Sequence, residues 1–291
     1  MNASTPRRVL ILGASGMLGH TALRYLSTQP ELEVVGSVRA PQAALQDWAP
    51  RARLVAGVDV ENPDALAALL AQVRPDVVIN AVGVVKQLAA ADDPLVALPI
   101  NALLPHRLAR LCELAGARLV HVSTDCVFTG RQGAYRETDV PDALDLYGRS
   151  KLLGEVDYPH AVTLRTSIIG PELRGGAQGL VGWFLAQQGE VKGFTRAVFS
   201  GLPTLELARV IHRHVLPRPA LRGVWHVSTA PIDKHALLGL VKQAWQRETL
   251  IRPDDALVID RSLDSSRFRD ATGYQPAAWP ELVQAMKDFS A

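Results

Sequence analysis

Short runs of apolar, often β-branched residues alternate with longer amphipathic stretches through the first half of the chain. The runs have the length of buried strands and cover residues 9–12, 33–38, 77–80, 119–123 and 162–165. The stretches between them carry apolar residues at helical spacing. Strands that alternate with helices form a parallel sheet covered by helices on both faces. The pattern therefore predicts a doubly wound α/β fold.

Two of the intervening helices have recognisable ends. Asn62 is a good N-cap and Pro63 suits the first helical position, which predicts a helix that runs to about Val73. A second helix is predicted to end at Gly116, because glycine commonly follows the last helical residue. Its apolar positions are Leu104, Leu108, Leu111 and Ala115.

The regular alternation of strand and helix patterns ends after about residue 166. The segment "GPELRGGAQG" reads as a loop, "TLELARVIHRHVL" as an amphipathic helix and "GVWHVS" as one more strand. A short helix that begins at Pro280 ends the chain. We expect this smaller, loop-rich region to close over the carboxyl ends of the strands, where doubly wound sheets bind ligands.

Composition removes several classes of function. The chain of 291 residues is 48% hydrophobic with a formal net charge of +2, and its arginines are scattered, so no nucleic-acid partner is indicated. Cys112 and Cys126 are too few for a disulfide framework or a cysteine metal site, and we expect no metal. No apolar run approaches the roughly 18 residues that span a bilayer, and no leader pattern precedes the first strand. We expect a soluble, cytoplasmic protein without a membrane partner.

A glycine-rich turn lies between the first strand and the first helix, in "VLILGASGMLGH". Gly13, Gly16 and Gly19 would allow a tight turn, close approach of the backbone to a pyrophosphate, and close packing of helix on strand. This context predicts a dinucleotide-binding (Rossmann) domain. We place it at residues 1–166, with 167–291 mainly binding substrate and about 200–228 returning to the first domain.

Arg39 indicates which dinucleotide is bound. It ends the second strand in "VVGSVRAP", where NAD-binding domains usually have a carboxylate for the ribose hydroxyls. A guanidinium suits the extra phosphate of NADP instead. The sequence therefore favours NADP(H) over NAD(H).

Tyr147 and Lys151 lie one helical turn apart in "LYGRSKLLGE", so their side chains should leave the same helix face. A ketone that accepts hydride needs a proton donor, and tyrosine with an ordinary pKa near 10 exchanges its proton slowly at neutral pH. A lysine about 4 Å away would favour the phenolate by about 4 kcal/mol at an effective protein dielectric. We therefore expect Lys151 to lower the pKa of Tyr147.

These motifs resemble the extended short-chain dehydrogenase/reductase family, over essentially the whole chain. The fragments "STDCVFTG", "YRETD", "YGRSKLLGE", "LRTS" and "GLPT" are similar to its 4-keto sugar-nucleotide reductases, which serve cell-surface polysaccharide synthesis. The resemblance implies the catalytic set Thr124, Tyr147 and Lys151. It implies cofactor contacts from Gly13, Ser15, Gly16, Met17, Leu18, Gly19, Arg39, Asp59, Val60, Asn80, Ala81, Val82, Gly83, Tyr147 and Lys151.

Other activities of the same family remain open. Sugar-nucleotide dehydratases need a second carboxylate after Asp125, and Cys126 does not supply one. A sugar-nucleotide epimerase with bound NAD and a non-catalytic NADP-binding regulatory subunit are the alternatives, and a homodimer is left open. Toward the substrate, a small sugar nucleotide, the candidates are Lys86, Thr124, Asp125 and Arg196, the last as a partner for the diphosphate.

Overall fold

A parallel sheet forms the centre of the molecule. The computed structural model describes residues 6–85, 89–173 and 179–290. Its strands are β1 Arg7–Leu12, β2 Leu32–Ser37, β3 Arg53–Val55, β4 Val77–Asn80, β5 Arg118–Thr124, β6 Ala161–Thr166, β7 Ile168–Ile169, β8 Glu190–Phe194, β9 Ala197–Phe199, β10 Leu202–Pro203, β11 Gly223–His226, β12 Ile232–Asp233, β13 Leu250–Asp254 and β14 Ile259–Asp260. Seven of them form the central sheet in the order β11-β6-β5-β4-β1-β2-β3.

Helices cover both faces of this sheet. The helices of the described residues are α1 Met17–Ser27, α2 Ala43–Trp48, α3 Pro63–Val73, α4 Pro94–Ala97, α5 Leu104–Ala115, α6 Leu146–Leu153, α7 Leu180–Ala186, α8 Thr204–Val210, α9 Lys234–Ala244, α10 Ser266–Thr272 and α11 Trp279–Ser290. Of these, α7, α9 and α11 contribute to a separate C-terminal cluster. Two π-helical segments, Leu98–Leu103 and Ile211–Val215, extend α4 into α5 and prolong α8. The five predicted sheet strands of the first half and the doubly wound α/β class are confirmed.

The two faces of the sheet have separate cores because side chains alternate along a strand. Val9 and Ile11 of β1 pack on one face with apolar residues of α1 and α8. Leu10 and Leu12 pack on the other face with residues of α3 and α5. Both faces of β1 are therefore buried, which explains why its sequence is a continuous apolar run.

The predicted helix ends are present. The side chain of Asn62 accepts the backbone N–H groups of Asp64 at 2.9 Å and Ala65 at 3.2 Å, with Pro63 in the first turn of α3. Gly116 follows α5 with φ of 67°, a left-handed conformation that glycine adopts without strain. Sequence reasoning missed α2, α4, α7, α9 and α10.

A proline and a glycine lie beside the carbonyl of Asn101 in the π-helical segment. Pro105 has no N–H, so the carbonyl of Asn101 loses its α-helical donor four residues on. Gly154, just after α6, lies so close to this carbonyl that a Cβ there would be 1.9 Å from the oxygen. Glycine at 154 therefore lets α6 pack tightly against the segment 98–103.

The C-terminal region has its own small core. Short strands pair there as β13-β8, as β12-β9-β14 and as β10-β7, and a cluster that includes Phe184, Leu237 and Trp279 lies beside them. β11 instead pairs with β6 at the edge of the central sheet, as "GVWHVS" predicts, and α8 packs on α1. The domain boundary at residue 166 stays a prediction, and residues 174–178 of the predicted loop lie outside the described residues.

No helix in the described part of the chain is long and apolar enough to cross a bilayer.

Candidate active site

A cavity of about 510 Å³ opens at the carboxyl ends of the central strands. This is where doubly wound sheets bind their ligands. The sequence-predicted residues that line it are Gly16, Met17, Leu18, Asn80, Ala81, Val82, Gly83, Thr124, Asp125, Tyr147 and Lys151. A shallower depression of about 640 Å³ at the opposite edge, lined by residues such as Arg7 and Arg118, contains none of them. We therefore take the smaller cavity as the candidate site.

Other predicted residues lie elsewhere. The cavity lining does not include Gly13, Ser15, Gly19, Arg39, Asp59, Val60 or Arg196. The Arg196 side chain is exposed to solvent, outside this cavity, so the lining gives no support to its predicted contact with the diphosphate. Lys86 lies outside the described residues.

The glycine turn is as tight as the motif predicts. Gly13 has φ of +77°, and a Cβ there would lie 3.0 Å from the Val82 side chain. A Cβ at Gly19 would lie 2.0 Å from the carbonyl oxygen of Gly13. Any larger residue at position 19 would therefore push α1 away from the turn. Gly16 is the N-cap of α1, which leaves the first N–H groups of the helix directed at the cavity mouth.

Arg39 stands where β2 and the loop after β3 meet. The backbone N–H of Gly57 donates to the Arg39 carbonyl at 3.2 Å, and that of Val58 to the Val38 carbonyl at 3.2 Å. Arg39 and Asp59 are exposed, and Val60 is half-buried. The cation predicted to select the cofactor is thus free to meet a ligand from solvent.

Hydrogen bonds fix the segment that follows β4. Asn80 contacts the buried His121 of β5 at 3.1 Å through its amide nitrogen and accepts the N–H of Val82 at 3.1 Å. Asn101 accepts the N–H of Val84 at 2.9 Å and donates to its carbonyl at 3.0 Å. Sequence reasoning missed Asn101, because its contact depends on the π-helical segment that turns it toward Val84.

Asn101 also links this segment to α6. Its amide donates to the hydroxyl of Ser150 at 3.2 Å. The cavity wall after β4 and the helix that carries Tyr147 and Lys151 are therefore held by one buried amide.

The three predicted catalytic residues converge on the cavity. Thr124 ends β5, where its hydroxyl accepts the N–H of Cys126 at 3.1 Å and donates to Asp125 at 3.2 Å. Asp145 caps α6 by accepting the N–H of Gly148 at 2.7 Å. A Cβ at 148 would lie 2.3 Å from the Cys126 carbonyl, so a glycine is needed for this approach of α6 to the turn after Thr124.

The pKa values of the tyrosine and the lysine differ from the expectation. Burial raises the pKa of Tyr147, the charges of Cys126 and Asp125 raise it further, and a hydrogen bond with Thr124 offsets this in part. Burial lowers the pKa of Lys151 to about 8, against the opposing charge of Glu155. The expectation that Lys151 lowers the pKa of Tyr147 is wrong for this structure. The Lys151 ammonium instead donates to the Val122 carbonyl at 2.9 Å.

A buried ion pair supports the end of α6. Glu155 accepts the guanidinium of Arg165 at 2.5 and 2.9 Å and the hydroxyl of Ser123 at 2.7 Å. Arg165 also contacts His226 of β11 at 2.9 Å, and burial together with Arg165 lowers the pKa of that histidine to about 4. The network joins β5, β6 and β11 to the segment that follows Lys151.

Two cations in the cavity wall have no counterpart among the predicted residues. Lys234 is the first residue of α9, and Arg261 follows β14. Burial lowers the pKa of Lys234, and the nearby carboxylate of Asp125 opposes that effect. No spacing rule links positions 125, 234 and 261, so only the fold brings them together.

The strand order, the glycine turn and the Thr-Tyr-Lys set define the class: a dinucleotide-binding chain of the extended short-chain dehydrogenase/reductase type. More narrowly, the chain belongs to the RmlD substrate binding domain family, whose model matches residues 7–253. A dTDP-4-dehydrorhamnose reductase from Aggregatibacter actinomycetemcomitans is 30% identical over 97% of this chain and 99% of its own length. The predicted resemblance is confirmed.

Other relatives match over shorter segments. A probable low-salt glycan biosynthesis reductase, Agl14, from Haloferax volcanii is 33% identical over 60% of this chain. The match spans 57% of that protein and 47% of a Mycolicibacterium smegmatis dTDP-4-dehydrorhamnose reductase, about half the length of these relatives. The zebrafish methionine adenosyltransferase 2 subunit beta is 28% identical over 76% of this chain and 68% of its own.

Solved structures agree with the fold. A hypothetical dTDP-4-dehydrorhamnose reductase from Sulfolobus tokodaii superposes with a TM-score of 0.75 at 26% identity, over 94% of this chain and 98% of its own. The Bacillus anthracis dTDP-4-dehydrorhamnose reductase in complex with NADP gives 0.80 at 22% identity, over 98% and 99%. Bordetella bronchiseptica WbmG in complex with NAD gives 0.77 at 18%, over 99% and 95%.

Proposed function

We propose that this chain is a cytoplasmic reductase that uses NADPH to reduce the 4-keto group of a nucleotide-activated deoxysugar for cell-surface polysaccharide synthesis. The observation that carries the proposal is the convergence of Thr124, Tyr147 and Lys151 on the cavity at the carboxyl ends of the strands. dTDP-4-dehydrorhamnose is the first substrate to test, because relatives at 30% and 33% identity carry that reductase name.

The residues present fit a nicotinamide dinucleotide. The turn at Gly13 and Gly19 has no room for side chains, and α1 directs unpaired N–H groups outward, as pyrophosphate binding requires. Arg39 is exposed beside the loop that carries Asp59 and would bind the phosphate that distinguishes NADP from NAD. The cofactor would supply the hydride.

Tyr147 would donate the proton. Because burial raises its pKa, the phenol is protonated at neutral pH and holds the proton that the developing alkoxide needs. Lys151, with a pKa of about 8, can pass a proton toward the tyrosine after turnover and would bind the cofactor ribose. Thr124, hydrogen-bonded to Tyr147, would turn its hydroxyl proton from Asp125 to the carbonyl oxygen and orient it.

NADPH consumption separates the candidate activities. We expect purified protein to oxidise NADPH in the presence of dTDP-4-dehydrorhamnose, one equivalent per sugar reduced, followed by absorbance and by analysis of the sugar. An epimerase returns the hydride, so inverted sugar with NADPH intact would contradict the proposal. Tight NADPH binding without turnover on a screen of 4-keto sugar nucleotides would favour a regulatory subunit, a candidate raised by the zebrafish relative.

We also propose a homodimer. Leu95, Leu103 and Leu153 are 85%, 50% and 61% exposed. They belong to the helical segment 94–115 and to α6, which pack against each other. Exposed apolar side chains mark an interface when they form one contiguous patch, and we propose that these three leucines form such a patch. Light scattering after size-exclusion chromatography should give twice the chain mass of 31.5 kDa, and Leu95→Glu with Leu153→Glu should give one chain mass.

A further inference from the structure

Arg261 is fixed in the cavity wall by its contacts with a neighbouring loop. Its Nε donates to the carbonyl of Phe128 at 2.8 Å, so the rest of the guanidinium has a defined direction. Its stem packs where a Cβ at Gly130 would come within 2.9 Å of it. The arginine is held by backbone contacts and does not depend on a carboxylate for its position.

The charge of one carboxylate, Asp125, interacts with both Lys234 and Arg261. Asp125 is 6% exposed, its burial raises its pKa, and the charge of Arg261 is the largest opposing influence. Asp125 is likewise the largest charge that raises the pKa of Lys234. At this corner of the cavity, formed by Lys234, Arg261 and Asp125, two cations thus accompany one carboxylate, and the three groups together carry a net positive charge when all are ionised. Glu172, the other carboxylate among the described residues of the lining, accepts the N–H of Gly179 at 2.9 Å.

This corner adjoins the reacting end of the proposed site. The Thr124 hydroxyl donates to Asp125 at 3.2 Å and shares a hydrogen bond with Tyr147, the proposed proton donor. Asp125, whose charge interacts with both cations, is therefore the residue next to the one that would orient the carbonyl. The diphosphate of a sugar nucleotide is attached across the sugar ring from a 4-keto group, so an anion at this corner would belong to the sugar.

We propose that Lys234 and Arg261 bind an anionic substituent of the sugar, a carboxylate in its simplest form. This inference rests on the proposed function, because it takes the ligand of the cavity to be a nucleotide sugar. A guanidinium held at Nε can still present its terminal nitrogens to a carboxylate, and the ammonium adds a second contact. The enzyme would then prefer an acidic 4-keto sugar nucleotide to neutral dTDP-4-dehydrorhamnose.

The test compares sugars that differ at one carbon. UDP-glucuronate and UDP-glucose, and the same pair on dTDP, are titrated calorimetrically into protein saturated with NADPH, which does not reduce them. We expect the glucuronates to bind about 10- to 100-fold more tightly than the glucose forms, the size expected for a charge-assisted contact. Lys234→Met and Arg261→Gln should bring this ratio close to one and leave binding of free dTDP and UDP unchanged.

Matched variants keep the result specific. Lys242→Met lies on the same helix and Arg222→Gln on an exposed turn, both outside the cavity lining, and both should keep the wild-type ratio. Thermal unfolding and NADPH affinity check that each variant is folded.

Several outcomes would overturn the proposal. Equal binding of both sugars shows that no carboxylate is recognised, and absence of glucuronate binding in both series has the same meaning. Weaker binding of free dTDP or UDP in the two variants would assign the cations to the diphosphate. None of these results depends on turnover, so a failure here is distinct from failure of the NADPH oxidation assay.

Discussion

Replacement of Lys151 by methionine should change how stability depends on pH. Lys151 is 5% exposed and burial lowers its pKa from 10.5 to about 8. A buried ammonium is costly, and methionine has a similar length without the charge. The variant also loses the hydrogen bond to the Val122 carbonyl, but that loss does not vary with pH as long as the lysine is protonated.

The magnitude follows from the two pKa values. Below pH 8 the lysine is charged in both states, so folding carries the full cost of burying the charge. Between pH 8 and 10.5 the folded state has lost this proton while the unfolded state retains it, so stability rises with pH by about 1.4 kcal/mol per pH unit. The complete gain is about 3.4 kcal/mol, of which about 2.5 kcal/mol falls between pH 7 and pH 10.

Urea unfolding of the cofactor-free protein at pH 7, 8, 9 and 10 measures this gain. Other titrating groups contribute equally to wild type and variant, so the quantity of interest is the difference in free energy of unfolding between them. We expect the free energy of unfolding of the wild type minus that of Lys151→Met to rise by about 2.5 kcal/mol from pH 7 to pH 10. Lys242→Met, a partly exposed lysine of α9, gives the baseline for loss of a lysine.

A difference that stays flat from pH 7 to pH 10 would refute the reasoning. The ammonium would then be as well solvated in the fold as in the open chain, and the lysine could not act as a proton relay near neutral pH. A fall with rising pH would mean that Glu155 outweighs burial.

The remaining predictions concern four residues. Tyr147→Phe should lower turnover by about 10²- to 10⁴-fold and leave NADPH affinity intact, because it deletes only the proton donor. Arg39→Asp should reverse the preference for NADPH over NADH in calorimetry, since it exchanges the cation for an acceptor of ribose hydroxyls. Glu155→Gln should lower the free energy of unfolding in urea by about 3 to 5 kcal/mol, because Arg165 stays buried without its partner. Gly19→Ala should abolish NADPH binding, because its Cβ would lie 2.0 Å from a backbone oxygen of the glycine turn.

Each of these variants has a control. Tyr158→Phe removes a hydroxyl that contacts His106 outside the cavity and should keep full turnover. If Tyr147→Phe turned over as fast as the wild type, the proposed mechanism would be wrong. Arg51→Asp, an exposed change elsewhere, should not alter cofactor preference, and unchanged preference in Arg39→Asp would remove Arg39 from the cofactor site. An unaltered urea midpoint for Glu155→Gln, or normal NADPH affinity for Gly19→Ala, would contradict the corresponding contact.

The sequence was most informative where one local signal determines the structure. A strand buried on both faces is an apolar run, and Asn62 with Pro63 before an apolar stretch at helical spacing favours a helix start, so the sheet and α3 were predictable. Strands of two or three residues, such as β9 and β14, have no such signal, because their pairing joins residues 197–198 with 259–260 across the fold. The small C-terminal sheets were missed for that reason.

The candidate site divides in the same way. Gly13, Tyr147 and Lys151 stand in motifs whose spacing has a chemical meaning, and the fold brings Tyr147 and Lys151 to one cavity. Arg261 and Lys234 come from segments far apart in sequence, without a motif. The electrostatics of Tyr147 could not be read from its distance to Lys151 along the helix, because burial and a backbone carbonyl decide where the ammonium points.

The edge strand β11 has a consequence for synthesis of the protein. Arg165 contacts His226, so the ion pair that supports the end of α6 gains this contact only when the ribosome has added residues 223–226. The cavity wall then needs Lys234 and Arg261, more than a hundred residues after Tyr147 in the latter case. A nascent chain that already contains the glycine turn and the Thr-Tyr-Lys set would therefore lack a finished site. Competence for binding should therefore arise only after residue 261 has been added, which would keep shorter nascent chains from sequestering the ligand of the cavity.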